Sequence, residues 1–257
     1  MLSQFQIDGS AAIITGASGG IGKAIAQRYV DDGVDVGICS RDIDRIEGAA
    51  DDITADSPDG NVYAAECDVR DRERVFDFVQ ECIDEFGEID ILVNNAAGDF
   101  RAPFEEISEN GWNTIFDINV NGTVHFSHAV GEHMREQERG NIINIISVAG
   151  LQGGSPGSSH YGASKAAIKN LTESLATEWS EYNIRVNNIA PGLIATPGVA
   201  SQLGIEVDEL PPRSSVDRGI GGPEEIADIA QFLASPASSY ISGETIVASL
   251  PGQLGDD

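Results

Sequence analysis

Between an apolar run, Ala11–Thr15, and a helical pattern from about residue 20 to 32 lies Thr15-Gly16-Ala17-Ser18-Gly19-Gly20-Ile21-Gly22. Nothing else in the sequence limits so tightly what this chain can fold into. Glycines at 16, 20 and 22 permit a tight turn, close backbone approach to a pyrophosphate, and close packing of helix on sheet. The helix start adds N–H donors and partial positive charge for phosphates. Turns use glycine generally, so the composition alone says little. A strand before it and a helix after it favour a dinucleotide site.

The alternation continues. Residues 34–39, 62–66 and 89–93 read as strands, separated by helices over 42–54 and 71–86. In the second helix Val75, Phe76, Val79, Ile83 and Phe86 recur at helical spacing, and Asp71 is placed to cap it. The second half offers a long helix over 112–138, a strand over 141–147, another long helix over 161–182 and a strand over 184–189 ending at Pro191-Gly192. Pro223 opens a helix to 233, with Glu224 and Glu225 at its positive end, and Thr245–Ala248 is the last strand. Interleaved strands and helices imply an α/β fold, a parallel doubly wound sheet with right-handed crossovers. The length of 257 residues suits a single domain over 1–257. The irregular stretch 195–222, rich in Gly, Pro and acids, reads as a lid.

Cofactor choice in such a fold is made at the end of the second strand. An acid there would bind the ribose 2′-hydroxyl of NAD; this chain has Ser40 and Arg41, and a guanidinium suits a 2′-phosphate. NADP(H) is therefore expected, with NAD(H) as the alternative, because Asp42 or Asp44 can offset the arginine. Further along, Tyr161 and Lys165 stand four residues apart on one helix face. A phenol with pKa about 10 is a poor proton donor and acceptor near neutrality, and a neighbouring cation lowers it. Ser147 closes the preceding strand, at the carboxyl edge where ligands of such sheets bind.

These residues together resemble the short-chain dehydrogenase/reductase family over nearly the whole chain. The matching pieces are the 15–22 turn, Asp68-Val69, Asn94-Asn95-Ala96-Ala97-Gly98, Asn119, Ser147, Tyr161 with Lys165, Pro191-Gly192 through Thr196, and Gly222-Pro223-Glu224-Glu225-Ile226-Ala227. The resemblance implies about seven strands in a Rossmann-type sheet, order 3-2-1-4-5-6-7. It makes Tyr161 the acid/base and gives Lys165 the tasks of lowering its pKa and binding the nicotinamide ribose. Ser147 would polarise the carbonyl, and Asn119 would hold a water joining Lys165 to a solvent relay. For the cofactor it implies Asp68 and Val69 at the adenine, Asn95 at its ribose, and Ile194 and Thr196 at the carboxamide. The turn residues Gly16, Ser18, Gly20, Ile21 and Gly22, with Ser40, Arg41, Pro191 and Gly192, complete that set. A homotetramer built on the two long helices, or a homodimer, is implied as well.

Three departures bear on substrate. The segment 94–98 carries one residue more than the common Asn-Asn-Ala-Gly. With Asp99-Phe100 and the 191–199 stretch it is similar to the branch that reduces enoyl- or dienoyl-CoA. The intact Ser147, Tyr161 and Lys165 pull back toward ketone and alcohol chemistry. The 14-residue interval from Ser147 to Tyr161 is long, implying a bulge over 153–159, and Ser249-Leu250-Pro251-Gly252 replaces the usual aspartate–glycine ending. The expectation is an NADP(H)-dependent oxidoreductase acting on a ketone or secondary alcohol of 3-oxoacyl or sugar type. The alternatives are an enoyl- or dienoyl-CoA reductase and, in another class, an NADP-binding regulatory protein without turnover.

Charge sets the surroundings. Against 42 Asp+Glu stand 15 Lys+Arg, a formal charge of −27, and lysine occurs only at 23, 165 and 169. Such a surface repels nucleic acid and anionic membranes, leaving small-molecule or acyl-CoA substrates as partners. It also suits a salt-rich cytoplasm of a halophile, where self-repulsion is screened. The first residues lack the basic and apolar regions of a signal peptide. Cys39, Cys67 and Cys82 read as buried thiols in a reducing compartment. His125, His128 and His133 lack the spacing of a metal site, and no metal is expected. Arg101 and Arg213 are sparse cations near the expected cleft and lid.

Overall fold

A computed structural model describes residues 3–7, 9–56, 60–152, 156–203 and 220–249. Its strands are Ala11–Thr15 (β1), Asp35–Ser40 (β2), Val62–Glu66 (β3), Ile91–Asn94 (β4), Gly140–Ile145 (β5), Ile184–Pro191 (β6) and Thr245–Ala248 (β7). The helices are Gly20–Asp31 (α1), Ile43–Asp56 (α2), Arg72–Phe86 (α3), Glu109–Phe116 (α4), Gly122–Glu136 (α5), Ser159–Glu178 (α6), Pro197–Leu203 (α7) and Pro223–Ala234 (α8). All strand pairs are parallel, in the order β3-β2-β1-β4-β5-β6-β7 that the resemblance implied.

Side-chain alternation along the strands divides the core in two. Ala12, Ile14, Val36, Ile38 and Ile91 pack with Ile25 and Tyr29 of α1, Ile46 of α2 and Ala230 and Leu233 of α8. Their neighbours Ala11, Ile13 and Leu92 turn the other way, onto Val75 and Phe78 of α3 and Phe126 and Val130 of α5. Each such side chain contributes about 1.5–3 kcal/mol on burial, and a strand apolar on both faces needs both covers.

Helix ends follow local signals. The Asp71 carboxylate accepts the Arg74 N–H at 3.1 Å, the expected cap. The expected helix over 112–138 differs in two ways. It begins earlier, at Glu109, because the Ser108 hydroxyl accepts the Gly111 N–H at 3.0 Å. It is also interrupted by a π segment, Asp117–Asn121, between α4 and α5.

Buried polar side chains cross the sheet from the end of β4 to the start of β7. Asn94 Nδ2 donates to Asn144 Oδ1 at 2.8 Å, and Asn144 Nδ2 to Thr172 Oγ1 of α6 at 2.8 Å. Thr172 donates to Asn188 Oδ1 at 2.7 Å, and Asn188 Nδ2 reaches Thr245 Oγ1 at 3.1 Å. Four strands and α6 are thereby held at one level. Of the expected lid, α7 and a parallel bridge between Ile194 and Gly221 are described. Residues 204–219 with Arg213, 153–155 of the expected bulge, and Leu250-Pro251-Gly252 lie outside the described residues.

Candidate active site

The turn between β1 and α1 is built around glycine for steric reasons. Gly16 has φ +66°, and a Cβ there would lie 2.8 Å from the Ala96 Cα. A Cβ at Gly22 would meet Asn95 Nδ2 at 2.5 Å. That amide donates to the carbonyls of Thr15 and Gly16 at 2.9 and 3.1 Å, and Thr15 Oγ1 accepts the N–H groups of Asn95 and Ala96. Asn95, expected at a ribose, thus first serves to fix the turn against the loop leaving β4.

The turn opens into a cavity of about 380 Å³, whose walls include Gly16, Ser18, Gly20, Ile21, Asn95 and Thr196. Ser40, Arg41, Asp68 and Val69 line it too, and Cys39 and Cys67 reach it as buried thiols. Pro191, Gly192 and Ile194 are not among its walls. Gly192 pairs its N–H with the Ala248 carbonyl, and the Ile194 side chain joins the core. Thr196 Oγ1 accepts the Val199 N–H at 3.2 Å at the start of α7. The glycine cradle beside a helix N-terminus fits a dinucleotide phosphate.

Positive charge gathers at one end of this cavity. Arg41 is exposed and forms no salt bridge among the described residues. The Asp42 carboxylate that could offset it instead accepts the Arg45 N–H at 3.1 Å, at the N-terminus of α2. Arg45, absent from the sequence expectations, also lines the cavity. Its signal was its position one helical turn after Arg41. Asp68 is gripped by Arg70, Nε to Oδ1 at 3.0 Å, and this pairing holds its carboxyl below the usual range, with Arg41 adding a smaller pull.

At the chemical end, Ser147 lies two residues beyond β5 and starts the short turn Val148–Gly150. Tyr161 and Lys165 project from the first turns of α6. Lys165 is 2% exposed, and its Nζ donates to the Ile145 carbonyl at 2.8 Å. Its ammonium lies 5.7 Å from the centre of the Tyr161 ring. Burial pulls the Lys165 pKa down to about 8, against a smaller opposing effect of the Asp99 charge. Burial pushes Tyr161 up to about 12, a hydrogen bond with Ser147 works to lower it, and Asp99 raises it further. Desolvation of the phenolate is the largest cause of that rise.

Asn119 sits in the π segment, wholly buried. Its Oδ1 accepts the Gly98 N–H at 2.7 Å, while Nδ2 donates to the Gly98 carbonyl at 3.1 Å and to Ser164 Oγ at 2.9 Å. The loop 95–98 thus runs from the cavity to the helix bearing Tyr161 and Lys165, although neither of these nor Ser147 is among the cavity's walls. The three helix histidines take separate partners. His125 Nδ1 contacts the Val69 carbonyl at 3.0 Å, His128 lies 3.3 Å from Glu132, and His133 Nε2 accepts the Ile89 N–H.

The short chain dehydrogenase family model matches residues 10–203. A Bacillus subtilis protein named "Probable 2,4-dienoyl-CoA reductase" is 38% identical over 240 residues, covering 92% of this chain and 93% of that protein. A 3-oxoacyl-[acyl-carrier-protein] reductase of Thermotoga maritima is 34% identical over 245 residues, covering 94% and 96%. A crystal structure of a short-chain type dehydrogenase/reductase from Mycobacterium marinum superposes with a TM-score of 0.88 at 33% identity, over 100% of this chain and 99% of that one. The chain belongs to the short-chain dehydrogenase/reductase family. It is an NAD(P)-dependent oxidoreductase.

Proposed function

We propose that the protein is an NADP(H)-dependent reductase of a ketone, or oxidant of the matching secondary alcohol, with a 3-oxoacyl or sugar/alcohol-type substrate. One observation carries this reading. The Ser147 and Tyr161 hydroxyls are hydrogen-bonded, and a desolvated Lys165 ties its ammonium to the Ile145 carbonyl at the carboxyl end of β5. The nicotinamide, when bound, supplies or accepts the hydride. The protein does the rest. The Ser147 and Tyr161 hydroxyls hold the carbonyl oxygen, and Tyr161 donates its proton to that oxygen in reduction and recovers it in oxidation. Lys165, protonated below about pH 8, keeps a positive charge beside the phenol and stabilises the phenolate as the proton leaves. Asn119 holds the loop 95–98 in register with α6.

NADP(H) is favoured over NAD(H) by Arg41 and Arg45 on the cavity wall, with Asp42 turned into the α2 terminus. Ser40, whose hydroxyl bonds the Asp42 backbone, shapes that corner. Reduction of an enoyl- or dienoyl-CoA is the second reading, favoured by the 94–99 segment and the Bacillus subtilis relative. The 195–222 segment serves as the lid of a single domain over 1–257. The assembly is a homotetramer on α4–α5 and α6, working in a salt-rich cytoplasm.

The test pairs acetoacetyl-CoA with crotonyl-CoA, each with NADPH and NADH, in concentrated KCl. Consumption of NADPH with acetoacetyl-CoA alone supports the first reading, and with crotonyl-CoA alone the second. Tyr161→Phe is expected to lower turnover by about 10³-fold while sparing NADPH binding. Near-normal turnover in that variant overturns the role given to Tyr161.

A further inference from the structure

The residues around Tyr161 and Lys165 include a carboxylate and an imidazole that the mechanism above leaves without a task. Asp99 follows Gly98, whose N–H and C=O are both engaged by the Asn119 amide. The same amide binds Ser164, which lies in α6 between Tyr161 and Lys165. Buried hydrogen bonds thus fix the loop bearing Asp99 against the helix bearing the proton-transfer pair. His160 completes the arrangement from α6. It is wholly buried, its ring centre is 4.2 Å from that of Phe100, and its Nε2 lies 3.9 Å from Asp99 Oδ1. Neither ring nitrogen of His160 has a hydrogen-bond partner among the described residues. Leaving a buried polar group so costs about 1–3 kcal/mol, more than packing an apolar ring there would.

We infer that Asp99, on the loop that Asn119 clamps to α6 at Ser164 and 3.9 Å from His160, is a positioning residue of the acid/base site and that its carboxylate sets the pH range of proton transfer. The inference rests on Tyr161 being the acid/base. A carboxylate on a loop clamped to α6 favours the protonated form of both phenol and ammonium, an effect smaller than that of burial at each. It therefore holds the site in the state that gives a proton to a carbonyl.

The titratable groups of α6 facing Asp99 are His160, Tyr161 and Lys165. The π segment brings the neutral Asn119, while its one acid, Asp117, is exposed and bonded by Asn121. The turn after β5 brings the hydroxyl of Ser147. On the Asp99 loop itself, Arg101 is exposed.

The experiment is the pH dependence of kcat in both directions for Asp99→Asn, with the thioester that the wild type turns over. The alkaline fall of reduction and the rise of oxidation should both move to lower pH by about one unit. Asp99→Glu should restore the wild-type midpoints, and Asp99→Ser should shift them as Asp99→Asn does. Superimposable profiles overturn the inference. So does a uniform loss of rate with unmoved midpoints, which is the mark of packing alone. Tyr161→Phe separates the two readings: an active Tyr161→Phe removes the acid/base assignment itself, whereas an inactive one with an unmoved Asp99→Asn profile removes only the role of Asp99.

Discussion

The two ends of the site treat positive charge in opposite ways. At the adenosine end Arg41 stays exposed, without a salt bridge among the described residues, and the nearest acid in sequence, Asp42, is bound up in a helix terminus. At the chemical end Lys165 is stripped of water and tied to a backbone carbonyl. The other two lysines show what this chain otherwise does with an ammonium: Lys23 pairs with Asp52 and Lys169 with Glu173 on the surface. A hydrated guanidinium can meet a phosphate without having been desolvated beforehand. A buried ammonium has already lost its hydration, so its field on a neighbouring phenolate is strong and its own pKa falls.

The contrast makes Lys165→Met the most telling substitution. Turnover should fall by about 10²–10⁴-fold. Stability should move the other way. Below pH 8 the folded protein bears a buried charge that the unfolded chain, with a lysine pKa near 10.5, holds in water. The penalty is fully present below pH 8 and vanishes as pH rises to about 10.5. Allowing for the lost hydrogen bond, Lys165→Met should stabilise the fold by about 2 kcal/mol at pH 7, a gain that shrinks through that window. Chemical denaturation at pH 7 and pH 10 checks it, and a destabilised variant at pH 7 would break the contrast.

At the other end the effects are smaller and fall on preference. Arg41→Asp should lower the ratio of kcat/KM for NADPH over NADH by about 10–100-fold, the range of one or two charge-assisted hydrogen bonds. An unchanged ratio means the cofactor is chosen elsewhere. Smallest is Asp42→Ala, which removes a helix cap and should cost about 1 kcal/mol, read as a lower Tm. The NADPH to NADH ratio should stay put. A rise in that ratio would mean that Asp42 does oppose Arg41.

Much of this was legible beforehand because it depends on local rules. The 15–22 turn needs glycine for reasons internal to a few residues, and the strand order follows from alternation and handedness once the family pattern is seen. What escaped notice depends on neighbours far along the chain. The π segment keeps the apolar spacing of an ordinary helix over Asp117–Asn121, and only the position of Gly98 gives Asn119 a reason to be there. His160 is sealed against Asp99 and Phe100, neighbours some sixty residues away that nothing around it in the sequence announces. The burial of the Tyr161 phenol, which no spacing reveals, is the largest cause of its upward shift.

The polar chain from Asn94 through Asn144, Thr172 and Asn188 to Thr245 has a bearing on how such an acidic molecule responds to its medium. Its members carry dipoles but no net charge, and salt screens monopoles in water rather than amides sealed inside a sheet. Removing salt therefore strains the acidic surface while leaving the bracing of α6 against the central strands untouched. On dilution, disorder should enter from the rim, and the seat of Tyr161 and Lys165 should be among the last places it reaches.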